Sequence, residues 1–560
     1  MSQRISIALT EAGHDVAVAV VDSAASMETA VRGRAPDLIV CPFLKTLIPE
    51  SIWGRHRCLV VHPGPPGDRG PSSLDWAIEL DKRNWGVTVL QANGEFDAGE
   101  VWASAMFGMR PATKSSLYGH EVRRAAVDAV LDAVDRVVLF GAAPAATDRA
   151  ASVALGPCLP LMSQEVRAID WRTDSTERVL RKIRAGDGSP GVLDTIAGKQ
   201  FHLFGGHPER TLCGRPGELL AQRNGAICRA TADGAVWITH LKRQNSGTER
   251  HFKLTAARAL AVAGIEPDLP EIGFAIDADV PDGQTYRDIT YCEHADVGYL
   301  RFAFYNGAMS TSQCERLREA YALARAQQRT KVIVLLGGDD YFSNGIHLNE
   351  IEMADDPAEE SWRNLNAIDD LVKDIVETGS HLVISALAGD AGAGGVPLAL
   401  AADYVLARDD IVLNPYYQHM GGLYGSEYWT YLLPRRVGRA MAARLTGAPF
   451  RAVGTSEAVG IGLIDATLGQ HLDDFRVRTA CFAERIAHDG LHQRRLEHKH
   501  LRRAHDERVK PLESYRQEEL ARSRQCFFGP GSGYHEARRR FVYKLPPREC
   551  AGEEPVRVAI

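Results

Sequence analysis

Features that define several protein classes are scarce in this chain. No apolar run approaches the roughly 18 residues that a membrane-spanning helix needs. Basic residues do not predominate, because 65 Lys and Arg stand against 72 Asp and Glu, so nucleic acid is not expected as a partner. The first residues, MSQRISIALTEAGHDV, lack the long apolar core of a secretion signal. We therefore expect no membrane partner and no nucleic-acid partner.

Cysteine is also sparse, with 10 among 560 residues and no C-x-x-C pair. This spacing argues against a disulfide framework and against a structural zinc site. The prediction is a cytoplasmic protein with free thiols and no bound metal. At roughly 150 residues per domain, a chain of this length has room for several domains.

The stretch between residues 58 and 100 carries the first candidate site. The apolar run Cys58 to Val61 predicts a buried strand, and His62 follows it in a loop too rich in Pro and Gly to be helical. A second predicted strand, Gly86 to Leu90, leads to a turn that contains Asp97. Side chains on the loops after two strands of one sheet can share a site.

The first 41 residues are predicted to add more strands to the same sheet. Strands are predicted at Arg4 to Thr10, Val16 to Val21 and Pro36 to Cys41, with a helix at Met27 to Arg34. Alternating strands and helices predict a parallel sheet that binds ligands at the carboxyl ends of its strands.

The stretch around His62 resembles the catalytic core of formyltransferases that use N10-formyltetrahydrofolate. The matching residues are His62 and Pro63, Arg69 and Gly70, Gly86 to Thr88, and Asp97 to Gly99. The resemblance implies that His62 and Asp97 act at the formyl carbon. It also implies a folate pocket lined by Cys41, Pro42, Phe43, Leu44 and Arg69. The alternatives are that His62 only stabilises a Pro-rich turn and that Cys41 is a core residue.

One element of the formyltransferase pattern is missing. The catalytic Asn of that family falls on Val60 in this chain. Loss of the amide removes a donor to the developing oxyanion, an interaction worth about 3 kcal/mol. Either another donor replaces the amide or formyl transfer is altered.

Residues 151–266 resemble the small carboxyl-terminal β-domain of the same formyltransferases. Asp174 and Glu177 predict a capping box for a helix at Ser175 to Arg184, and strand-like segments follow it. In relatives that act on charged tRNA this domain helps hold the RNA. Here the basic residues are too few and too mixed with acids to form such a face.

A second architecture begins near residue 290 and resembles the crotonase (enoyl-CoA hydratase/isomerase) superfamily. Phe342 to Ile346 and Gly389 to Leu398 match its two oxyanion loops, each after an apolar strand. The resemblance implies that the N–H groups of Ile346 and Gly394 hold a thioester oxyanion. The residues that it places next to coenzyme A are Ser343, Gly345, Gly395 and Arg540.

Two departures from the hydratase pattern indicate different chemistry. Hydratases carry acids where Pro397 and Tyr416 stand, and without them water cannot be added by the usual acid–base pair. Tyr416 or Tyr417, together with Glu427, are the catalytic candidates in their place. The alternative is that these tyrosines are core aromatics.

The expected fold is therefore α/β and multidomain. Its parts are a formyltransferase-like parallel-sheet domain (1–150), a small β-rich domain (151–266), a linker (267–288), a crotonase-like domain of ββα repeats (289–490) and a charged helical tail (491–560). Four tail histidines could suggest a metal site, but their spacing favours a solvated helix.

This pairing of modules, with PLESYRQEEL and FVYK near the end, resembles a family of nickel–iron hydrogenase maturation factors. The resemblance implies synthesis of the carbon monoxide ligand of the hydrogenase iron. The formyl group would pass from N10-formyltetrahydrofolate to coenzyme A, and formyl-CoA would then lose CO, which hydrogenase maturation proteins would receive. The alternatives are a formyltransferase acting on an amine or a sugar nucleotide, and a scaffold without catalytic activity.

Overall fold

The structure is a computed structural model that describes residues 1–44, 46–141, 158–281, 283–447 and 452–545. Within these ranges the strands form four sheets, one in each of the first two parts of the chain and two in the third. The boundary predicted between residues 141 and 154 lies almost wholly outside the described residues.

The first part, up to residue 141, packs helices on a four-stranded sheet. Its helical segments are α1 (Ser2–Glu11), α2 (Ala24–Arg34), α3 (Glu50–Trp53), α4 (Ser73–Glu79), α5 (Lys114–Leu117), a π-helical turn (Tyr118–Val122) and α6 (Arg123–Phe140). Its strands, in spatial order, are β1 (Ile39–Cys41), β2 (Cys58–His62), β3 (Asn84–Gln91) and β4 (Val101–Gly108). Only β1 and β2 are parallel, since β2–β3 and β3–β4 are antiparallel pairs. The parallel pairing expected of this sheet is therefore found in the β1–β2 pair, and the other two pairs depart from it.

The first predicted strand is also a helix in the structure. Ile5, Ile7 and Leu9 alternate as a strand would, but Ile5, Ala8 and Leu9 fit a helical period and are the buried residues of α1. They join the core beneath α6, so tertiary packing decides between the two periods. The strand predicted at Val16 to Val21 is irregular backbone.

The second part is an antiparallel sheet covered by a helix. Its strands are β5 (Val192–Ile196), β6 (Lys199–Glu209), β7 (Leu219–Arg223), β8 (Ala226–Ala230), β9 (Ala235–Arg243) and β10 (Leu254–Thr255). Its helices are α7 (Gln164–Arg167), α8 (Thr176–Gly186) and α9 (Ala256–Val262). Ser175 caps α8 by accepting from the N–H of Arg178, whereas Asp174, the predicted cap, forms an ion pair with Lys182.

The third part builds two sheets from repeated pairs of strands. The large sheet has the order β11 (Ile289–His294), β12 (Val297–Phe302), β13 (Val332–Leu336), β15 (Leu382–Leu387), β17 (Tyr404–Ala407) and β20 (Ala466–Thr467). The small sheet has the order β14 (Tyr341–Ser343), β16 (Asp390–Gly392), β18 (Val412–Asn414) and β19 (Val453–Gly454). Three times in succession, one strand enters the large sheet and the next enters the small one, which confirms the ββα-type repeat. The single strand predicted from Tyr291 to Phe304 is a hairpin of β11 and β12.

Helices cover the sheets of the third part and form the tail. They are a 3-10 turn (Tyr305–Gly307), α10 (Thr311–Ala326), α11 (Leu348–Glu352), α12 (Pro357–Val376), α13 (Gly395–Leu400), α14 (Trp429–Thr446), α15 (Thr455–Gly460), α16 (Leu472–His488), α17 (His492–Val509), α18 (Leu512–Phe528) and α19 (Tyr534–Tyr543). The tail is helical as predicted, but it is not simply solvated. Lys499, Glu519 and Arg538 are buried, and α18 packs against α12. No helix in the described ranges is long and apolar enough to cross a membrane.

Candidate active sites

The first candidate site is built around the end of β2. His62 is the last residue of this strand, pairs in register with Thr88 of β3, and is 4% exposed. The strand alternates, so Leu59 and Val61 face the main core while Cys58 and Val60 face a second apolar cluster. His62 therefore lies on the same face as Val60, two residues further along.

Two carboxylates flank the imidazole of His62. Its Nε2 lies 2.8 Å from Oδ2 of Asp68, and its Nδ1 lies 3.4 Å from Oδ1 of Asp97. The loop between residues 62 and 68 can fold back this tightly because Gly64 has no side chain. A Cβ there would lie 2.5 Å from Nε2 of His62. The Gly70 N–H donates to Oδ2 of Asp97 and fixes the second carboxylate.

These carboxylates determine the protonation of His62. Burial alone would lower the pKa of His62, but the hydrogen bonds to Asp68 and Asp97 outweigh it and raise that pKa to about 9. Burial pushes the pKa of Asp97 up, but His62, the Gly70 N–H and Arg69 together outweigh burial, so that pKa is lowered overall. At neutral pH the arrangement is an imidazolium held between two carboxylates.

The predicted folate loop lies beside Val60. Cys41 pairs in register with Val60, and both pack with Leu44 in the second apolar cluster. Burial raises the pKa of Cys41 to about 12, so its thiol stays neutral. Phe43 is 61% exposed beyond this cluster. An apolar wall next to His62 suits a flat heteroaromatic ligand, and Val60 contributes to this wall instead of offering a polar group.

Two other predicted folate residues lie on the rim of this region. Pro42 is half-buried between Cys41 and Phe43. Arg69 is largely exposed and donates to Oε2 of Glu95 and to the carbonyl of Phe96, at 3.4 and 3.2 Å. It therefore ties the His62 loop to the Asp97 loop and leaves its charge at the surface.

The second candidate site lies where two glycine-rich loops meet. A Cβ on Gly345 would lie 3.1 Å from the backbone N of Gly394, so the two segments are in direct contact. Among the described residues, no acceptor takes the N–H of Ile346 or of Gly394. Gly394 precedes α13, whose amino-terminal end favours negative charge. The predicted oxyanion residues are thus brought together.

Three residues predicted to contact coenzyme A have other contacts in the structure. Ser343 is fully buried, and its hydroxyl accepts from the N–H of Gly345 at 3.1 Å. A Cβ on Gly395 would lie 1.9 Å from the carbonyl oxygen of Ser343, so only glycine allows the two loops to approach this closely. Arg540, on α19, forms an ion pair with Glu536 at 2.9 Å.

Glu427 completes the second site. Its Oε2 accepts from the Tyr417 hydroxyl at 2.9 Å and from the Ser426 N–H at 3.0 Å. A Cβ on Gly394 would lie 2.2 Å from Oε1 of Glu427, so this carboxyl faces the oxyanion loops. Burial, together with the nearby Asp369, raises the pKa of Glu427 to about 8. The structure thus pairs Tyr417 with Glu427, while Tyr416 stacks on His419 with ring centroids 5.7 Å apart.

Three buried acids near these sites were missed by sequence reasoning. Asp369 could have been found, because it lies on the apolar stripe of α12 with Leu365, Ile368 and Val372. Glu519 carries no such signal in the charged tail. Asp68 lies in a loop without periodicity, and only the tight fold at Gly64 brings it to His62.

The first part of the chain docks on the segments that lead into the oxyanion loops. Arg123 donates to both carboxylate oxygens of Asp390, at 3.0 and 2.7 Å. Ser116 and His120 both contact Oδ1 of Asp340, at 2.5 and 2.9 Å. Asp340 directly precedes β14, and Asp390 begins β16, so both contacts are adjacent to the second site.

Comparison with known proteins identifies the family. The model "Enoyl-CoA hydratase/isomerase" matches residues 302–545, and "Formyl transferase, C-terminal domain" matches residues 161–250. The chain is 48% identical over 551 residues to hydrogenase maturation factor HoxX of Bradyrhizobium diazoefficiens, covering 98% of this chain and 93% of the relative. The chain belongs to the HypX/HoxX family of hydrogenase maturation factors.

A solved HypX structure and a formyltransferase are also similar to this chain. The crystal structure of HypX from Aquifex aeolicus in complex with tetrahydrofolic acid is 41% identical, with a TM-score of 0.92, covering 98% of this chain and 94% of that one. Methionyl-tRNA formyltransferase of Geobacter metallireducens is 24% identical over 242 residues, 43% of this chain and 74% of the relative. The α/β multidomain fold with formyltransferase-like and crotonase-like parts is confirmed.

Proposed function

We propose that this chain makes carbon monoxide from the formyl group of N10-formyltetrahydrofolate, with coenzyme A as the formyl acceptor. In the first step the formyl carbon leaves N10 and bonds to the CoA sulfur, and the thiol proton ends on N10. In the second step the C–S and C–H bonds of the formyl thioester break, CO leaves, and the hydrogen becomes the thiol proton. Neither step needs an oxidant or a reductant.

The observation that carries this proposal is the contact of Glu427 with the oxyanion loop at Gly394. A formyl thioester has no α-carbon, so the enolate chemistry of crotonases has no counterpart here. Breakdown of a formyl thioester needs hydrogen-bond donors to the carbonyl oxygen and a group that moves one proton to sulfur. Ile346 and Gly394 supply the first, and Glu427 with Tyr417 supplies the second.

In the first site, His62 compensates for the amide that Val60 lacks. The positive charge of an imidazolium stabilises an oxyanion that develops nearby, and Asp68 and Asp97 keep His62 charged at neutral pH. We infer that the folate carrier lies against the wall of Cys41, Leu44 and Val60. The tetrahydrofolic acid bound to HypX of Aquifex aeolicus supports this substrate class.

Two contacts support transfer of the formyl group within one chain. Arg123 and His120 of the first part bind Asp390 and Asp340, which flank the strands entering the second site. A reactive formyl thioester is best used where it forms, so short separation between sites is an advantage. In the role of a maturation factor, the CO released would pass to hydrogenase maturation proteins.

The test is CO production by the purified full chain. Protein is incubated with N10-formyltetrahydrofolate and coenzyme A, and CO is trapped by a haem protein and measured by absorbance. We expect CO only when both substrates are present. Formate or a formylated amine in place of CO would refute the proposal. Binding of both substrates without turnover would instead favour the scaffold alternative.

A further inference from the structure

We propose that the tail helix α18 is part of the second site: Glu519, with Asp369, positions Glu427 and holds a proton on it. Both residues bind the segment that carries Glu427, so they are positioning residues that act through Glu427. The proposal deepens the proposed function and rests on it insofar as Glu427 acts on the thioester.

Asp369 fixes the backbone of the Glu427 segment. Its Oδ1 accepts from the N–H of Glu427 and its Oδ2 from the Ser426 hydroxyl, both at 2.7 Å. Glu427 and Tyr428 have φ of 59° and 57°, in the left-handed region that non-glycine residues rarely adopt. A fully buried carboxylate that binds this segment offsets the strain of that conformation.

Glu519 holds the same segment from the other side. Its Oε2 lies 3.3 Å from the Ser426 hydroxyl, and its Oε1 accepts from the N–H of Thr430 at 2.8 Å and from the Thr430 hydroxyl. One turn later on α18, Ser523 donates to the carbonyl of Gly425 at 2.7 Å. The tail helix thus binds residues 425–430 through Gly425, Ser426 and Thr430.

At least one of the three buried carboxyl groups around Ser426 must keep its proton, because there is too little positive charge nearby to balance them. Glu427, Asp369 and Glu519 are all at most 1% exposed and are linked through Ser426. Among the residues that the structure describes, the one cation close to them is Arg516, 3.8 Å from Asp369, and it also binds Asp370 at 2.6 Å. The titratable and charged groups around Glu427 are Tyr417, Cys314, Asp369, Glu519 and Arg516. Three buried carboxylates against one shared guanidinium cannot all be ionised at neutral pH.

The geometry assigns one of these protons. Oε2 of Glu427 already accepts two hydrogen bonds, from Tyr417 and Ser426, so a proton on this carboxyl occupies Oε1. Oε1 is the atom that faces Gly394. A neutral Glu427 therefore presents its O–H to the thioester region, where it can donate to sulfur as the C–S bond breaks. The Glu427 carboxylate that results takes up the formyl proton as CO leaves, so the formyl hydrogen replaces the proton given to sulfur.

The test compares Asp369→Asn and Glu519→Gln with the native chain in two measurements. The first is the pH profile of CO formation. Loss of an acidic neighbour favours ionisation of Glu427, so we expect the alkaline limb to move to lower pH by at least about one unit in each variant. A purely structural role would lower the rate at all pH values without moving the limb.

The second measurement does not depend on CO. The infrared C=O band of a protonated carboxyl, assigned to Glu427 by its loss in Glu427→Gln, is titrated in the full-length protein. We expect the band to disappear at lower pH in Asp369→Asn and Glu519→Gln. The matched controls are Asp374→Asn on α12 and Glu518→Gln on α18, whose side chains form surface ion pairs.

The outcomes separate the two proposals. If the native chain makes no CO but the band shifts in the variants, the positioning role is retained and the proposed function is refuted. If the native chain makes CO and both variants fold, but neither the alkaline limb of the pH profile nor the infrared band moves in them, the positioning role is overturned. If one variant does not fold, as judged by circular dichroism and thermal unfolding, the other still decides.

Discussion

His62 is closer to Asp68 than to Asp97. The distance from Nε2 of His62 to Asp68 is 2.8 Å, and the distance from Nδ1 of His62 to Asp97 is 3.4 Å. The nearer carboxylate is therefore the one that the formyltransferase pattern did not indicate. It lies six residues along the chain from His62, in the loop that Gly64 allows to fold back.

Replacement of Asp68 by Asn is expected to slow formyl transfer. The variant keeps the shape of the side chain but loses the charge that helps keep His62 protonated, so the pKa of His62 falls from about 9. A hydrogen bond to a charged group contributes about 1.5–3 kcal/mol, which corresponds to a loss of roughly 10- to 100-fold. The measurement is single-turnover release of tetrahydrofolate as a function of pH.

The surface variant Asp132→Asn, in an exposed ion pair on α6, is the control for Asp68→Asn. It should leave tetrahydrofolate release at the native rate. If Asp68→Asn also released tetrahydrofolate at the native rate across neutral pH, the role assigned to Asp68 would be wrong.

His62 also predicts how stability depends on pH. Its folded pKa, about 9, lies above the ordinary value of 6.5. The stabilisation it gives is thus full below pH 6.5 and is lost as pH rises through about 9. A shift of this size corresponds to about 3 kcal/mol. We expect His62→Gln to lower the free energy of unfolding by urea more at pH 6 than at pH 9.5; equal losses at both would contradict the prediction.

Sequence reasoning found the residues that end elements and missed those that folding brings to them. Local pattern indicated His62, which ends an apolar strand, and the resemblance to the crotonase loops indicated Gly394. The roles of Asp68 and Glu519 could not be predicted from local pattern. Asp68 reaches His62 across a loop, and Glu519 reaches Ser426 from a helix distant in the chain. The α1 segment shows the same limit, because its apolar residues fit two periods and burial against α6 selects one.

The tyrosine pair could not be resolved from sequence for the same reason. Tyr416 and Tyr417 are neighbours with different contacts, and only the fold shows that Tyr417 bonds to Glu427. We expect Tyr417→Phe to reduce CO formation roughly 10-fold or more, since one hydrogen bond to the reacting carboxyl is lost. Tyr416→Phe should cause a smaller loss.

The control for the tyrosine variants is Tyr424→Phe, in a half-buried ring that packs on Trp429 with centroids 5.3 Å apart. Its rate of CO formation should match the native rate. A larger loss in Tyr416→Phe than in Tyr417→Phe would reverse the assignment.

Gly394→Ala tests the oxyanion loop most directly. The added Cβ would lie 2.2 Å from Oε1 of Glu427, so either the carboxyl or the loop must shift. Misplacement of an oxyanion donor costs roughly 100-fold or more in rate. We expect CO formation to fall by that factor while tetrahydrofolate binding to the first site, measured by calorimetry, is unchanged. The control is Gly460→Ala at the end of α15, where a Cβ meets nothing within 4 Å. If Gly394→Ala retained full CO formation in a correctly folded protein, the thioester carbonyl would have to bind elsewhere.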